Sequence, residues 1–147
     1  MKEEPYELSN NSADNCELEF TSDGPKGRII KRIEFRRIGH TDYFELVFGN
    51  KTAEGKVDVY SVSDNGDRDK VLRTVADAVK DFLNVYPKRI VYFTGSTPVR
   101  TRLYQIAINH NFYELIQSYE IFAQQHEKIV TYRKNVKADA FYIVKRQ

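Results

Sequence analysis

The sequence predicts a single α+β domain with a mostly antiparallel, twisted sheet and two helices, in the order β-β-β-β-α-β-α-β-β. Its 147 residues suffice for one domain with a buried core that needs neither disulfides nor a metal. Polar and apolar residues alternate through the first half of the chain, which is typical of half-buried strands. Apolar residues then recur at helical spacing over 71–83. We expect the domain to occupy residues 16–147, and the polar, acidic segment 1–15 to be partly disordered.

Four strands are predicted before the first helix. In the longest of them Ile29, Ile33 and Phe35 share one parity, which predicts that they face the core. Clusters of Gly, Pro, Asp and Asn separate the strands and favour turns. The four strands, which form a meander, span residues 17–20, 28–38, 43–48 and 56–63.

The second half of the chain alternates helix and strand. A first helix begins after Asp67 and ends at about residue 85, because Pro87 cannot continue it. A second helix runs from 97 to about 109. A β-branched and aromatic strand at 89–94 separates them. Two final strands are predicted at 113–123 and 140–145, with a polar, charged loop over 124–137 between them.

The net charge of +2 conceals a strong asymmetry. Residues 1–23 carry a net charge of −6, so the rest of the chain carries +8. A basic body favours anionic partners, either small molecules or acidic proteins. No apolar run reaches the length of a membrane span or a signal region, and Cys16 is the single cysteine. We therefore expect a cytoplasmic protein with no membrane partner.

The sequence carries no pattern for metal binding or nucleophilic catalysis. His40, His110 and His126 are far apart in the chain, and none belongs to a ligand motif. A nucleophile elbow, a phosphate loop and a dinucleotide fingerprint are also missing from the sequence. We therefore predict no metal and no cofactor.

The sharpest chemical feature is the passage from the 89–94 strand into the second helix. After Gly95, either Ser96 or Thr97 can cap the helix, and a proline at the first helical position is well tolerated. The N-terminus of a helix attracts anions, and Arg100 and Arg102 lie in its first turns. These five residues form the predicted anion-binding site.

A structural interpretation competes with ligand binding. The first helix begins beside Asp64, Asn65, Asp67 and Asp69, and the three carboxylates among them favour a capped helix over a phosphate site. Arg100 and Arg102 are separated by about 200° of helix rotation, so they cannot both point the same way. Only one of them can therefore pair with these acids. We expect that pairing for the second arginine, and we rank the anion site at Arg100 lower.

Nucleic acid is a third possible partner and ranks below a small anion. It would bind the basic strand through Lys31, Arg32, Arg36 and Arg37. A continuous basic face without carboxylate partners would favour this hypothesis.

Paired motifs give the chain a resemblance to a known family. The patterns NGDxxKVLxTV at 65–75 and GSTxxRTRLY at 95–104, with FxSxGPxG at 20–27, resemble a small bacterial family known only as a domain of unknown function. This resemblance implies no activity.

A weaker resemblance is to the GNAT acyltransferase fold, in which an antiparallel meander leads into alternating strands and helices. It implies an acyl-coenzyme A-dependent N-acyltransferase, with acetyl-coenzyme A as cofactor and Tyr104 as general acid. The 65–70 loop departs from the glycine-rich pyrophosphate loop of that superfamily.

Overall fold

The computed structural model describes residues 4–58, 65–95 and 97–147, and these residues form nine strands and three helices. The strands are β1 Ser9–Asn10, β2 Glu17–Gly24, β3 Gly27–Arg37, β4 Tyr43–Lys51, β5 Val57–Asp58, β6 Ile90–Phe93, β7 Tyr119–Gln125, β8 Lys128–Thr131 and β9 Ala140–Lys145. The helices are α1 Arg68–Val85, α2 Pro98–His110 and α3 Phe112–Ser118.

One sheet contains all the described strands. Its order is β1-β2-β3-β4-β6-β9-β7-β8, and β5 pairs with the end of β4. Every pair is antiparallel except β4 and β6, which run parallel because α1 crosses between them. The predicted α+β class and mostly antiparallel sheet are therefore confirmed.

The core lies between one face of the sheet and the helices. Helix α1 buries the apolar residues that its spacing predicts, and the Phe82 ring stacks on Phe35 of β3 with centroids 4.1 Å apart. Phe44 of β4 meets the same ring edge-on at 5.3 Å. The outer face of the sheet carries charged residues and tyrosines instead.

The structure corrects the sequence prediction over 113–123. Residues Phe112–Ser118 form a third helix, and only Tyr119–Gln125 form a strand. Phe112, Leu115, Ile116 and Tyr119 recur at helical spacing, and Leu115 and Tyr119 are buried. The aromatic and β-branched composition of this segment favours a strand, but it forms a helix because a helix packs its apolar residues on the sheet.

The predicted loop over 124–137 also contains an element. Lys128–Thr131 returns along β7 as β8 in a two-residue hairpin, and His126 takes the positive φ of 55° that such a turn requires. Of the predicted strand 56–63, the structure describes β5 at its start, while residues 59–63 lie outside the described ranges.

Candidate anion-binding site

The turn from β6 into α2 is built around Gly95. Its backbone N–H donates to the Thr101 Oγ1 at 2.9 Å, and a Cβ at this position would clash with the backbone of Arg100 and Thr101. Thr97 caps α2 by accepting from the Arg100 N–H at 3.3 Å. Of the two predicted capping residues, Ser96 lies outside the described ranges. The start of α2 is therefore fixed tightly against the end of β6.

Two arginines leave α2 in different directions. Arg100 is half-buried, and its charge lowers the pKa of both Lys31 and Tyr104, so it faces the interior of the domain. Arg102 is exposed and borders an outer cleft beside Asp139. Within the described residues, no ion pair joins Arg102 to Asp67 or Asp69. Asp64, the third acid that could pair with it, lies outside the described ranges, so the pairing of Arg102 stays a prediction.

Lys31 completes the positive region below α2. Although it belongs to the basic strand, its side chain points to the helix face of β3 and is only 7% exposed. The Nζ donates to the Oδ1 of Asn50, its cross-strand partner, at 2.5 Å. Burial lowers the pKa of Lys31, Asp67 opposes that effect and Arg100 adds to it. Lys31, Arg100 and the start of α1 are therefore electrostatically coupled.

The acids of the first helix entrance have structural partners. The Asp67 Oδ2 accepts hydrogen bonds from the Tyr6 hydroxyl at 2.6 Å and from the Ser22 Oγ at 2.5 Å. Asp69 pairs with the adjacent Arg68 at 3.2 Å. Asp64 lies outside the described residues.

Asn65 joins two of the sequence motifs. It is 2% exposed, accepts from the Lys26 N–H at 2.7 Å and donates to the Gly27 carbonyl at 2.9 Å. A Cβ on Gly24 would clash with the Asn65 backbone, so this glycine permits the close approach. The motif at 20–27 and the motif at 65–75 thus form one connected structural unit.

Tyr104 lies on the inner side of α2, next to Arg100. Its ring meets Phe93 edge-on at 5.4 Å, and burial raises its pKa to about 12, against a smaller lowering effect of Arg100. Its hydroxyl forms no hydrogen bond to a described residue. The side chain borders an apolar cavity of about 40 Å³ that also reaches Leu46 and Ile108.

The basic strand does not form a continuous basic face. On the outer side of the sheet, the Arg32 guanidinium contacts the carboxylates of Glu17, Glu19 and Glu34 at 2.6–3.1 Å. Arg36 pairs with Glu34 at 2.7 Å. Lys31 faces the opposite side, and the remaining residue, Arg37, donates to the Thr41 carbonyl. The condition that would favour nucleic-acid binding is not met.

The sequence analysis did not place Lys31 in the candidate anion-binding site at the start of α2. One signal was available, because Lys31 shares its parity with Ile29, Ile33 and Phe35 on a strand with one buried face. A lysine at an apolar position is expensive to bury and therefore marks a functional candidate. Tyr6 and Asn50 carry no comparable signal in the sequence.

The fold and this site define a small α+β domain in which α2 begins at the end of β6 and the first half of α1 contacts the end of α2. The chain belongs to the family of unknown function DUF6934, whose model matches residues 2–146. Comparison with curated proteins and with solved structures gave no match. Within the described ranges, no helix has the length and apolar character that a membrane crossing requires. No cluster of three or more potential metal ligands occurs among the same residues.

Proposed function

We propose that this domain binds a small phosphate-bearing molecule where α2 begins, with Arg100 and Lys31 supplying positive charge. The observation that carries the proposal is the position of Arg100, which is half-buried in the first turn of α2, a turn that holds no acidic residue. Lys31 adds a second cation close enough for its pKa to respond to Arg100, and positive charge of this kind favours an anionic ligand. The single cysteine offers no intramolecular disulfide, and we keep the cytoplasm as the proposed location.

The start of α2 adds to this potential. Its free N–H groups and the positive end of its dipole stabilise an anion, typically by about 0.3–1 kcal/mol for each charge near the helix end. No acidic residue lies in the first turn of α2, whereas α1 carries Asp69 there. The α2 end is therefore the better site for a phosphate group.

Phosphate titration with matched variants tests this proposal. Arg100→Gln removes the inward charge, while Arg102→Gln removes an exposed charge from the same helix and serves as the control. At a phosphate concentration ten times the Kd, binding should stabilise the wild type and Arg102→Gln by about 1.4 kcal/mol. For a domain of this size, that corresponds to a rise in melting temperature of about 3–6 °C.

The melting temperature of Arg100→Gln should respond to phosphate no more than to chloride at the same ionic strength. An equal response of all three proteins would contradict the proposal, because it would reflect general salting-out. Lys31→Gln should weaken phosphate binding as well, because it removes the second positive charge that acts at this site.

A second candidate function is an acyl-coenzyme A-dependent N-acyltransferase of GNAT-like topology. One observation favours it: the parallel strands β4 and β6 pair at only three positions, from Tyr43 with Ile90 to Glu45 with Tyr92. The next residues of the two strands, Leu46 and Phe93, line the cavity that Tyr104 borders.

The pKa of Tyr104 places this candidate second. A thiol has an ordinary pKa of about 8.5, so a hydroxyl with a pKa of about 12 is a poor proton donor to a departing thiolate. The transfer would be uphill by about 5 kcal/mol. We expect acetyl-coenzyme A to bind weakly, and calorimetry measures this directly.

A low-micromolar Kd for acetyl-coenzyme A would reverse this ranking. Release of free thiol in the presence of amine acceptors would do the same if Tyr104→Phe abolished it. Tyr104→Phe is a conservative probe here, because the Tyr104 hydroxyl makes no hydrogen bond to a described residue whose loss would disturb the fold.

A further inference from the structure

A second cleft lies at the opposite end of the sheet from Arg100. It has a volume of about 460 Å³ and is formed by the segment before β2, the end of β3 and the starts of β4 and β6. Its wall residues include Asp14, Cys16, Arg37, Phe44 and Arg89, and we call it the Arg89 cleft. A volume of this size suits a small molecule.

Arg89 is an unusual cation because aromatic rings, and not carboxylates, surround it. Its guanidinium carbon lies 3.6 Å from the Tyr86 ring centroid and 4.3 Å from that of Phe44. The Nη1 is buried and has no hydrogen-bond acceptor among the described residues. The rings hold the guanidinium plane in place, the Cys16 thiol lies close enough for Arg89 to act on its pKa, and the Nη1 retains its donor capacity.

The acids that line the cleft have other partners. Glu17 and Glu34 contact Arg32 on the outer face of the sheet, at 3.1 and 2.6 Å. Asp14 accepts hydrogen bonds from the Ser12 Oγ at 2.8 Å and from the Cys16 N–H at 3.1 Å. Three carboxylates therefore lie in the wall of the cleft, but none of them forms an ion pair with Arg89.

We propose that the Arg89 cleft binds a small molecule through a carboxylate group, with the fork of the Arg89 guanidinium as its anchor. A buried guanidinium nitrogen without an acceptor is costly, and a carboxylate supplies the two coplanar acceptors that a guanidinium fork matches. The nearby Arg37 guanidinium, also stacked over Phe44 at 4.7 Å, adds a second positive charge.

Charge balance favours a carboxylate over a phosphate in this cleft. Three arginines and three acids line it, so a ligand with one negative charge suits it better than a dianion. Phe44 and the buried face of β3 give the ligand an apolar side to contact. This site is thus distinct in place and ligand chemistry from the proposed phosphate site at α2.

Cys16 gives a specific readout, because it is the only cysteine in the chain and it lines the cleft. The probe is benzoate, benzamide is its neutral counterpart, and the measured quantity is the rate of Cys16 alkylation by iodoacetamide. The reaction is run at alkaline pH, since burial raises the pKa of the Cys16 thiol. At ten times its Kd, benzoate should slow alkylation about tenfold, because occupied molecules do not react.

Matched variants assign the protection to the guanidinium. Arg89→Lys keeps the charge but loses the fork, and benzoate should no longer protect Cys16 in this variant. Arg28→Lys makes the same change at an exposed position and should behave like the wild type. Arg100→Gln should also retain protection, which separates this cleft from the phosphate site.

Arginine side-chain NMR of the wild type keeps the test independent of how the variants fold. Benzoate should shift the Arg89 Nε–H signal, and benzamide should leave it unchanged. Equal protection by benzamide, protection that persists in Arg89→Lys, or an unmoved Arg89 signal up to the solubility limit of benzoate would overturn the proposal.

Discussion

At the scale of single residues, the fold changes the pKa of the Tyr104 hydroxyl most clearly. Burial raises its pKa to about 12, whereas an unfolded tyrosine titrates near about 10. Between these two values the folded state holds a proton that the unfolded state has lost. The stabilising contribution is therefore complete below about pH 10 and is lost as the pH rises toward 12.

Tyr104→Phe provides the measurement. By about pH 11, the wild type should have lost roughly 1 kcal/mol of unfolding free energy relative to this variant, compared with the difference at about pH 9. Urea unfolding at both pH values gives the result, and the other tyrosines cancel because both proteins contain them. A difference that does not change with pH would show that Tyr104 titrates as an exposed phenol.

At this scale the candidate site was predictable only in part. Composition and spacing predicted that Gly95, Thr97 and Arg100 would meet at a helix start. Sequence could not decide which arginine turns inward, because that choice depends on how α2 lies on the sheet. The partners of Asp67 could not be predicted either, because Tyr6 is 61 residues away from it in the chain.

Among the elements, α1 provides most of the contact between the helices and the sheet. Eight of its residues are buried, among them Phe82, whose exposed fraction is 2% and whose ring contacts β3 and β4. Phe82→Ala removes these contacts and leaves a cavity, so we expect a loss of about 3–5 kcal/mol of unfolding free energy.

Val85→Ala is the control for this prediction. Val85 is in the last turn of the same helix and is 54% exposed, so its truncation should cost well under 1 kcal/mol. Chemical denaturation of the three proteins measures both values. Similar midpoints for Phe82→Ala and the wild type would contradict the packing of α1 on the sheet.

Strong periodicity made α1 predictable, while α3 and β8 were missed for a common reason. Both are short, at seven and four residues, so neither sequence pattern extends far enough to decide its own structure. Helix α3 forms because it buries Leu115 and Tyr119 in the core, and β8 forms because it pairs with the free edge of β7. Tertiary contacts decide such elements.

For the whole molecule, the class of fold followed from the order of patterns along the chain. The strand order did not, because pairing between distant strands leaves no local trace in the sequence. The acidic start of the chain illustrates the same limit. Its Glu17 and Glu19 lie beside Arg32 on the outer face of the sheet, which weakens the basic character that composition alone assigns to β3.

The position of β9 has a consequence for how the chain is made. Residues Ala140–Lys145 fill the space between β6 and β7 in the middle of the sheet. During synthesis, β6 and β7 therefore expose unpaired edges until this late segment has left the ribosome. The meander of β2 to β4 can close early, but the two halves of the sheet are joined only afterwards. A chain interrupted before residue 140 would present two open edges and invite aggregation.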